Sequence, residues 1–245
     1  MPELSVVIIT RNEASNIERT LVSALKVSSD IIIVDSGSTD NTLDICRKYP
    51  VKIYFHVWEG YAAQKNYGDS LTAHDWILSI DADEELSAEL AAEIRQELQN
   101  PAADYYDLPF RTNFCGQWLN YGHWNPESHI RLFKKSQMHW NTDAVHEGLI
   151  IPPGLKMKKL KGYIQHYTIR SLEHYREKND HYIKLAAEKM KRAGKKPNFI
   201  KLYLSPAWRF VHSYLLKLGF LDGNFGYVIA RETARVAYLK YKKLT

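Results

Sequence analysis

The sequence predicts an α/β protein in which a mostly parallel sheet is flanked by helices and followed by a basic helical extension. Three observations predict this architecture. Short apolar runs alternate with segments of helical periodicity through the first hundred residues, the polar clusters follow the apolar runs, and Lys and Arg gather in the last third of the chain. Such alternation indicates parallel strands joined by right-handed crossovers.

Four runs in the first hundred residues predict strands: Val6–Thr10, Ile31–Val34, Val51–Phe55 and Trp76–Ile80. The continuous apolar runs of the first two are typical of buried parallel strands. Helices are predicted between them from capping signals and apolar spacing. Their expected positions are a helix opened by a Ser15–Glu18 capping box, one running from the Asp35–Asp40 turn to Lys48, one over Tyr61–Leu71, and one capped by Ser87 and stopped by Pro101.

The second half of the sequence has a different character. Residues 104–168 predict short strands and loops rich in Trp, Tyr and His, and residues 171–193 predict a charged helix capped by Ser171. The run Phe199–Leu221 is apolar and aromatic but contains several cations, as in a helix or helix pair at a membrane interface. The expected limits are therefore 1–168 for the main domain, with parts 1–100 and 101–168, and 169–245 for the extension.

Composition limits the classes of protein that the chain can represent. The 245 residues suffice for one sizeable domain and an appendage, and an apolar content of 45% with 25% charged residues is ordinary for a globular protein. The two cysteines, Cys46 and Cys115, lack metal-ligand spacing and indicate a reducing compartment. Since neither a secretory signal nor an apolar run of about 18 residues is found, we expect a cytoplasmic location.

Charge is distributed unevenly along the chain. Residues 1–154 carry 12 Lys and Arg against 22 Asp and Glu, whereas residues 155–245 carry 21 against 6. A basic rear suits an anionic surface such as phospholipid or a phosphorylated glycolipid. The acidic front and the absence of a recognisable motif argue against a nucleic-acid partner.

The strongest local signal is the segment Leu78-Ser-Ile-Asp81-Ala-Asp83-Glu84-Glu85. Two carboxylates spaced i, i+2 at the end of a buried strand suit a hard divalent cation whose shell is completed by substrate phosphates. The alternative is that these side chains merely precede and cap the helix at Ser87.

A second polar cluster, Asp35-Ser-Gly-Ser-Thr-Asp40, follows the second predicted strand. Asp35 can accept a hydrogen bond from the imide N–H of a pyrimidine base, although Asp, Ser and Gly are also common in turns for conformational reasons alone. Neither GxGxxG nor GxxxxGK[ST] is present, which argues against a dinucleotide fold and a P-loop. The clusters at Thr10–Glu13, Asp35–Asp40 and Asp81–Glu85 should meet in one crevice, because ligands bind beyond the carboxyl ends of parallel strands.

These clusters carry a family resemblance. Four blocks occur in the expected order: SVVIITRNE, IIVDSGSTDNT, Gln64-Lys65-Asn66 and ILSIDADE. They resemble family 2 glycosyltransferases with a GT-A fold. The later blocks are PESHIRLFKK from Pro126, Val145-His146-Glu147 and GFLDG from Gly219, and they resemble the branch that includes bacterial lipopolysaccharide core glucosyltransferases.

The resemblance implies roles for individual residues of the donor site. Thr10 and Glu13 would line the nucleotide pocket, Asp35 would bind uracil, and Lys65 and Asn66 would lie near the ribose or diphosphate. Asp81 and Asp83 would form the DxD motif that binds Mg²⁺ or Mn²⁺, and of these two metal ligands Asp83 would be the more direct. Many family members carry a second Asp where this chain has Ser36.

The catalytic base and the third metal ligand are less well marked. The resemblance places the base at Glu127, before Arg131, without the usual Glu-Asp pair. The alternative is a surface carboxylate paired with Arg131. His146, with Glu147 behind it, would supply a further metal ligand, and His166 is the rival.

The expected function is therefore an inverting, metal-dependent transfer of a hexose, expected to be glucose, from a UDP-sugar. The acceptor would be a lipopolysaccharide core or another membrane-associated, lipid-linked glycan, met at the anionic inner face of the cytoplasmic membrane. Polyprenyl-phosphate or peptide acceptors, or a sugar nucleotidyltransferase, are the alternatives. The oligomeric state is left open.

Overall fold

The computed structural model describes residues 3–141 and 148–244, which form two compact units. The first unit comprises residues 1–110 and 128–166, and the second comprises 111–127 and 167–245. The segment 111–127 thus groups with the C-terminal third of the chain and not with residues 101–168. The expected domain limits at 168 and 169 stay a prediction.

The first unit holds most of the strands and four helices. Its strands are β1 (Leu4–Thr10), β2 (Asp30–Asp35), β3 (Lys52–Phe55), β4 (Trp76–Asp81), β5 (Glu84–Leu86), the first part of β6 (Tyr105–Phe114), most of β8 (Glu127–Lys134), β9 (His139–Trp140), β10 (Leu149–Ile150), β11 (Met157–Lys159) and the first half of β12 (Ile164–Ile169). Its helices are α1 (Ile17–Ala24), α2 (Thr42–Cys46), α3 (Tyr61–Ser70) and α4 (Ala88–Glu97).

The sheet of this unit begins with four parallel strands in the order β3-β2-β1-β4. The register places Thr10 opposite Asp35, and Ile9 opposite Asp81. The carboxyl ends of β1, β2 and β4 therefore lie side by side, as the alternation of strands and helices predicts. The strand order continues β8-β6-β12-β5, with β8 antiparallel to β4 and β12 antiparallel to β5.

Both faces of β1, β2 and β4 are covered, which explains their apolar runs, whereas the edge strand β3 is partly exposed. One face packs Val6, Ile8 and Ile33 with α1 and α4, and the other packs Val7 and Val34 with α3. Gly68 of α3 permits this approach, because a Cβ there would lie 2.4 Å from Val7 Cγ1.

The second unit is built from helices around a small aromatic core. It contains β7 (Gln117–Trp118), α5 (Leu172–Arg192), a π turn at Ile200–Leu204, α6 (Ser205–Val211), a π turn at His212–Leu216, a 3₁₀ turn at Gly219–Asp222 and α7 (Gly223–Lys242). The core residues are Phe114, Leu119, Ile169, Tyr175 and Ile229.

Asp222 of the 3₁₀ turn holds the loop that follows β7. Its carboxylate accepts hydrogen bonds from the backbone N–H groups of Asn120 (3.1 Å) and Tyr121 (2.9 Å). Its carbonyl oxygen accepts one from Gln117 Nε2 at 3.1 Å. The GFLDG block thus has a structural role inside the second unit.

Helix ends match the sequence expectations unevenly. Ser87 and Ser171 cap α4 and α5 as predicted, accepting from the backbone N–H groups of Leu90 and His174. The capping box at Ser15 is wrong, since α1 starts one residue later with Asn16 at the cap and without a side-chain cap bond. Within the described residues, no helix is long and apolar enough to cross a membrane.

Candidate active site

The loops after β1 and β2 are joined by hydrogen bonds. The backbone N–H of Asn12 donates to Ser38 Oγ at 2.9 Å, and Asn12 Oδ1 accepts from the Thr39 N–H at 2.7 Å. The Glu13 N–H donates to Thr42 Oγ1 at 2.8 Å. Asn12 has a φ of 56°, a conformation that asparagine tolerates better than most residues. The loops after β1 and β2 therefore form one wall of the crevice predicted at the strand ends.

Asp35 is buried at the base of this wall. Its carboxylate accepts from the N–H groups of Gly37 (2.8 Å) and Ser38 (3.0 Å) and from the Ser38 hydroxyl. The turn thereby fixes the carboxylate at the strand end. Thr10 lies beside it, also buried, with its hydroxyl lacking a hydrogen-bond partner among the described residues. Such an orphaned hydroxyl is a polar group that a ligand can satisfy.

At the end of β4 the carboxylate of Asp81 lies between two cations. Lys65 Nζ, on α3, is 3.4 Å from Asp81 Oδ1, and Arg131 Nη2, on β8, is 3.2 Å from Asp81 Oδ2. Arg131 also contacts Glu84 Oε1 at 2.8 Å, and the Asp81 N–H donates to Glu84 Oε2 at 2.9 Å. Lys65 has no exposed side-chain surface. These residues form a cluster that we call the strand-end charge cluster: Lys65, Asp81, Glu84 and Arg131.

The pKa values of the two carboxylates of the strand-end charge cluster are shifted in opposite directions. Burial opposes ionisation of Asp81, but Lys65 and Arg131 outweigh it and hold the pKa of Asp81 well below its usual range. Burial raises the pKa of Glu84, and the neighbouring Asp81 charge adds to the rise against the attraction of Arg131. Asp81 is thus a negative charge held between two cations, although no hydrogen bond from the described residues reaches its buried Oδ1.

Asp83, the second carboxylate of this strand end, lies beside a histidine. Its Oδ2 lies 3.4 Å from His166 Nε2 on β12, and both side chains are about one-fifth exposed. Burial lowers the pKa of His166, but the bond to Asp83 and the charges of Asp83, Glu84 and Asp81 raise it to about 9. His166 is therefore protonated at neutral pH.

The donor set can accommodate a divalent cation through Asp83. Asp81 is paired with Lys65 and Arg131, whereas the partner of Asp83 among the described residues is the His166 imidazole. An Asp83–His166 separation of 3.4 Å is compatible with two ligands about 2.1 Å from one ion. The described residues include no ready-made group of three or more His, Cys, Asp or Glu ligands.

Asn66 and Trp140 brace the helix that carries Lys65. The Asn66 side-chain amide donates to the Trp140 carbonyl and accepts from the Trp140 N–H, both at 3.0 Å. Trp140 Nε1 donates to Asp69 Oδ2 at 3.0 Å, and its ring lies 4.7 Å from Lys65 Nζ. Burial raises the pKa of Asp69 to about 7 against the pull of Trp140 and Lys65.

The remaining predicted residues are placed as follows. Glu13 accepts from Asn16 Nδ2 at 2.8 Å and is half-buried at the start of the first loop. Glu127 is the first residue of β8, belongs to the second unit and is half-buried. His146 and Glu147 lie outside the described residues. The structure therefore gathers Thr10, Asp35, Lys65, Asp81, Asp83 and His166 at one edge of the first unit's sheet.

Sequence reasoning missed two members of this edge. It treated Arg131 as the neighbour of Glu127, whereas the structure pairs Arg131 with Asp81 and Glu84. It treated Glu84 only as part of an acidic run, although Glu84 is almost fully buried. Arg131 is a single cation in the apolar run Ile130-Arg131-Leu132-Phe133. This was the available signal for a buried Arg.

Comparison with known proteins agrees with this geometry. Residues 5–153 match the family described as Glycosyl transferase family 2. The lipopolysaccharide core biosynthesis glycosyltransferase LpsC of Rhizobium meliloti is 30% identical, covering 98% of this chain and 91% of LpsC. An uncharacterized glycosyltransferase of Rickettsia bellii is 31% identical, covering 99% of this chain and 86% of that protein.

Solved structures show the same fold. TarS residues 1–349 from S. aureus superpose with a TM-score of 0.52 at 14% identity, covering 97% of this chain and 90% of that chain. The complex of the same TarS fragment with UDP gives a TM-score of 0.51 at 15% identity, with coverages of 98% and 89%. The predicted GT-A fold is confirmed. The chain belongs to glycosyl transferase family 2.

Proposed function

We propose that the protein transfers a hexose, in our proposal glucose, from a UDP-sugar to a lipopolysaccharide core or another membrane-associated glycan, inverting the anomeric configuration. A divalent cation, Mg²⁺ or Mn²⁺, would be held by Asp83 together with the donor diphosphate. The name of the similar protein LpsC supports the class of acceptor, and the TarS complex with UDP supports the class of donor.

The observation that carries this proposal is the division of labour between Asp81 and Asp83. Asp81 is held by Lys65 and Arg131, so it fixes the end of β4, whereas Asp83 has a side chain available to a cation beside His166. A cation bound there would act as a Lewis acid on the departing nucleoside diphosphate. His166 would supply a ligand once it has lost its proton, and His146 stays a second candidate.

The other predicted donor contacts follow from the two loops described above. Thr10 and Glu13 would line the nucleotide pocket, and the fixed Asp35 carboxylate would accept from the uracil N–H. Lys65 would act on the diphosphate through Asp81, because its ammonium is buried and paired. Asn66 would act through Trp140 in the same way.

Glu127 is proposed as the general base that takes the proton from the acceptor hydroxyl. The hydroxyl oxygen attacks the anomeric carbon as the bond to the diphosphate breaks, so one displacement inverts the centre. Positioned proton transfer of this kind contributes on the order of 10²–10⁴-fold.

The second unit supplies the proposed contact with the membrane. Between Phe199 and Leu221, several apolar side chains are more than half exposed, among them Phe199, Trp208 and Leu216. Lys201, Arg209 and Lys217 lie in the same stretch. Exposed apolar residues interleaved with cations suit an anionic bilayer interface. Phe210 and Tyr214 instead pack against Tyr227 within the unit.

The function is tested by analysing glycolipids from a deletion strain. The strain should accumulate a precursor short by one hexose, and the purified protein should complete it from UDP-glucose and Mn²⁺. Asp83→Ala should abolish completion even at high metal, while Asp44→Ala, an exposed acid of α2, should not. A glycolipid profile identical to the parent strain would rule out the proposed acceptor, and an unimpaired Asp83→Ala would rule out the proposed metal ligand.

A further inference from the structure

A cavity of about 230 Å³ lies inside the second unit between α5, α6, α7 and the loop before β8. Three basic side chains line it: His123, Arg209 and Lys240. Three aromatic side chains line it as well: Trp124, Tyr175 and Tyr182. No residue of the donor site described above belongs to this cavity.

The basic side chains of the cavity lack acidic partners. Among residues 3–141 and 148–244, no carboxylate forms a hydrogen bond or ion pair with His123, Arg209 or Lys240. Two acids of α5 and α7, Asp180 and Glu232, contact Arg235 at 2.7 and 3.1 Å. Among the described residues, Arg209 and Lys240 thus bring positive charge without a carboxylate partner to one concave surface, which attracts an anion.

The titration of the lining groups reflects this excess of positive charge. Burial lowers the pKa of Lys240, and the charges of Arg209 and Lys195 lower it further. Burial also lowers the pKa of His123, together with Arg209, His212 and Lys217, while Glu127 alone acts in the opposite direction. The electrostatic influence of Glu127 on His123 also places the proposed base in the neighbourhood of the cavity.

We propose that this cavity binds a phosphate group on the acceptor glycan, with the adjoining sugar against the aromatic walls. The inference rests on the proposed transfer to a membrane-associated glycan. Arginine binds phosphate oxygens through paired N–H groups, Lys240 adds charge, and the His123 imidazole can donate a hydrogen bond. Aromatic faces suit the C–H surface of a sugar ring. A phospholipid headgroup would instead meet the exposed apolar stretch between Phe199 and Leu221.

The binding test uses the full-length protein labelled with ¹⁵N, with the imidazole signal of His123 identified by a His123→Gln variant. Glucose 6-phosphate should shift this signal saturably, whereas glucose should not. Arg209→Gln and Lys240→Gln should each weaken binding about tenfold or more, as expected for loss of a charge-assisted hydrogen bond. Arg231→Gln, an exposed charge of α7 outside the cavity, should bind within about twofold of the wild type.

Three outcomes would overturn the proposal. These are the absence of a saturable shift, an equal loss in Arg231→Gln, and displacement of glucose 6-phosphate by vesicles of phosphatidylcholine with phosphatidylglycerol. The last result would assign the cavity to lipid headgroups. UDP binding measured on the same samples separates the two proposals, because loss of UDP binding with retained glucose 6-phosphate binding contradicts the donor site alone.

Discussion

The Lys65 ammonium lies 3.4 Å from Asp81 Oδ1, and the Lys65 side chain is entirely shielded from solvent. A helix residue thus supplies a buried charge to the end of a strand that carries the DxD motif. The pair explains how an acidic strand end is tolerated beside the apolar residues of β4. It also makes Lys65 a positioning residue, because its charge acts through Asp81.

Replacing Lys65 tests this pairing through stability. Lys65→Met should lower the free energy of unfolding by about 2–3 kcal/mol, since it leaves Asp81 with Arg131 as its remaining cation. Chemical denaturation measures the change. Arg47→Met, which breaks an exposed pair with Asp44, should cost about 1 kcal/mol or less. A Lys65→Met protein as stable as the Arg47→Met control would contradict the role of the buried pair.

Asp69 should make stability depend on pH. The pKa of Asp69 is raised to about 7 in the folded state, against 3.8 for an ordinary Asp side chain. Between these two pH values the folded protein holds a proton that the unfolded chain has lost. The associated stability is fully present below pH 4 and is lost as the pH rises through about 7. Asp69→Asn should therefore gain up to about 4 kcal/mol relative to the wild type at pH 8.

Denaturation of both proteins at pH 5 and pH 8 measures this difference. The advantage of Asp69→Asn should shrink at pH 5, where the wild-type carboxyl is largely protonated. An advantage that is equal at both pH values would show that the buried Asp69 does not titrate as described.

Glu127 is tested by kinetics. Glu127→Gln should reduce kcat on the order of 10²–10⁴-fold with little change in donor affinity, because an amide cannot accept the acceptor proton. Glu177→Gln, an exposed acid of α5, serves as the control. A Glu127→Gln enzyme with near-normal kcat would place the base at another residue.

The exposed apolar stretch of the second unit is tested with vesicles. Replacing Phe199, Trp208 and Leu216 together by serine should abolish salt-sensitive co-sedimentation with vesicles containing phosphatidylglycerol. Phe55 and Val57 are exposed apolar residues of the first unit, and their replacement by serine should leave co-sedimentation unchanged. Wild-type protein that fails to sediment with anionic vesicles at low salt would contradict the membrane proposal.

The sequence predicts the parallel part of the sheet well because burial on both faces forces continuous apolar runs. It predicts the meeting of Thr10, Asp35 and Asp81 because parallel strands share one carboxyl edge. Contacts between distant segments, such as Arg131 with Glu84, leave no comparable local pattern. The grouping of residues 111–127 with the C-terminal helices was not predicted for the same reason. The buried Asp222, which bonds to this segment, lies about a hundred residues away from it in sequence.

The cap of α1 shows a further limit. Ser15 and Glu18 have the spacing of a capping box, but Asn16 takes the cap position and its amide bonds to Glu13. The local sequence allows either Ser15 or Asn16 to cap α1. The loop after β1, which bonds to Ser38 and Thr42, places Asn16 at the cap position.

Calorimetric titration of UDP with and without Mn²⁺ tests the central claim most directly. The wild type should bind UDP much more tightly in the presence of Mn²⁺, and Asp83→Asn should lose this metal-dependent gain while still binding UDP in its absence. Equal UDP affinity with and without Mn²⁺ in the wild type, or an undiminished gain in Asp83→Asn, would contradict a cation held between Asp83 and the donor diphosphate.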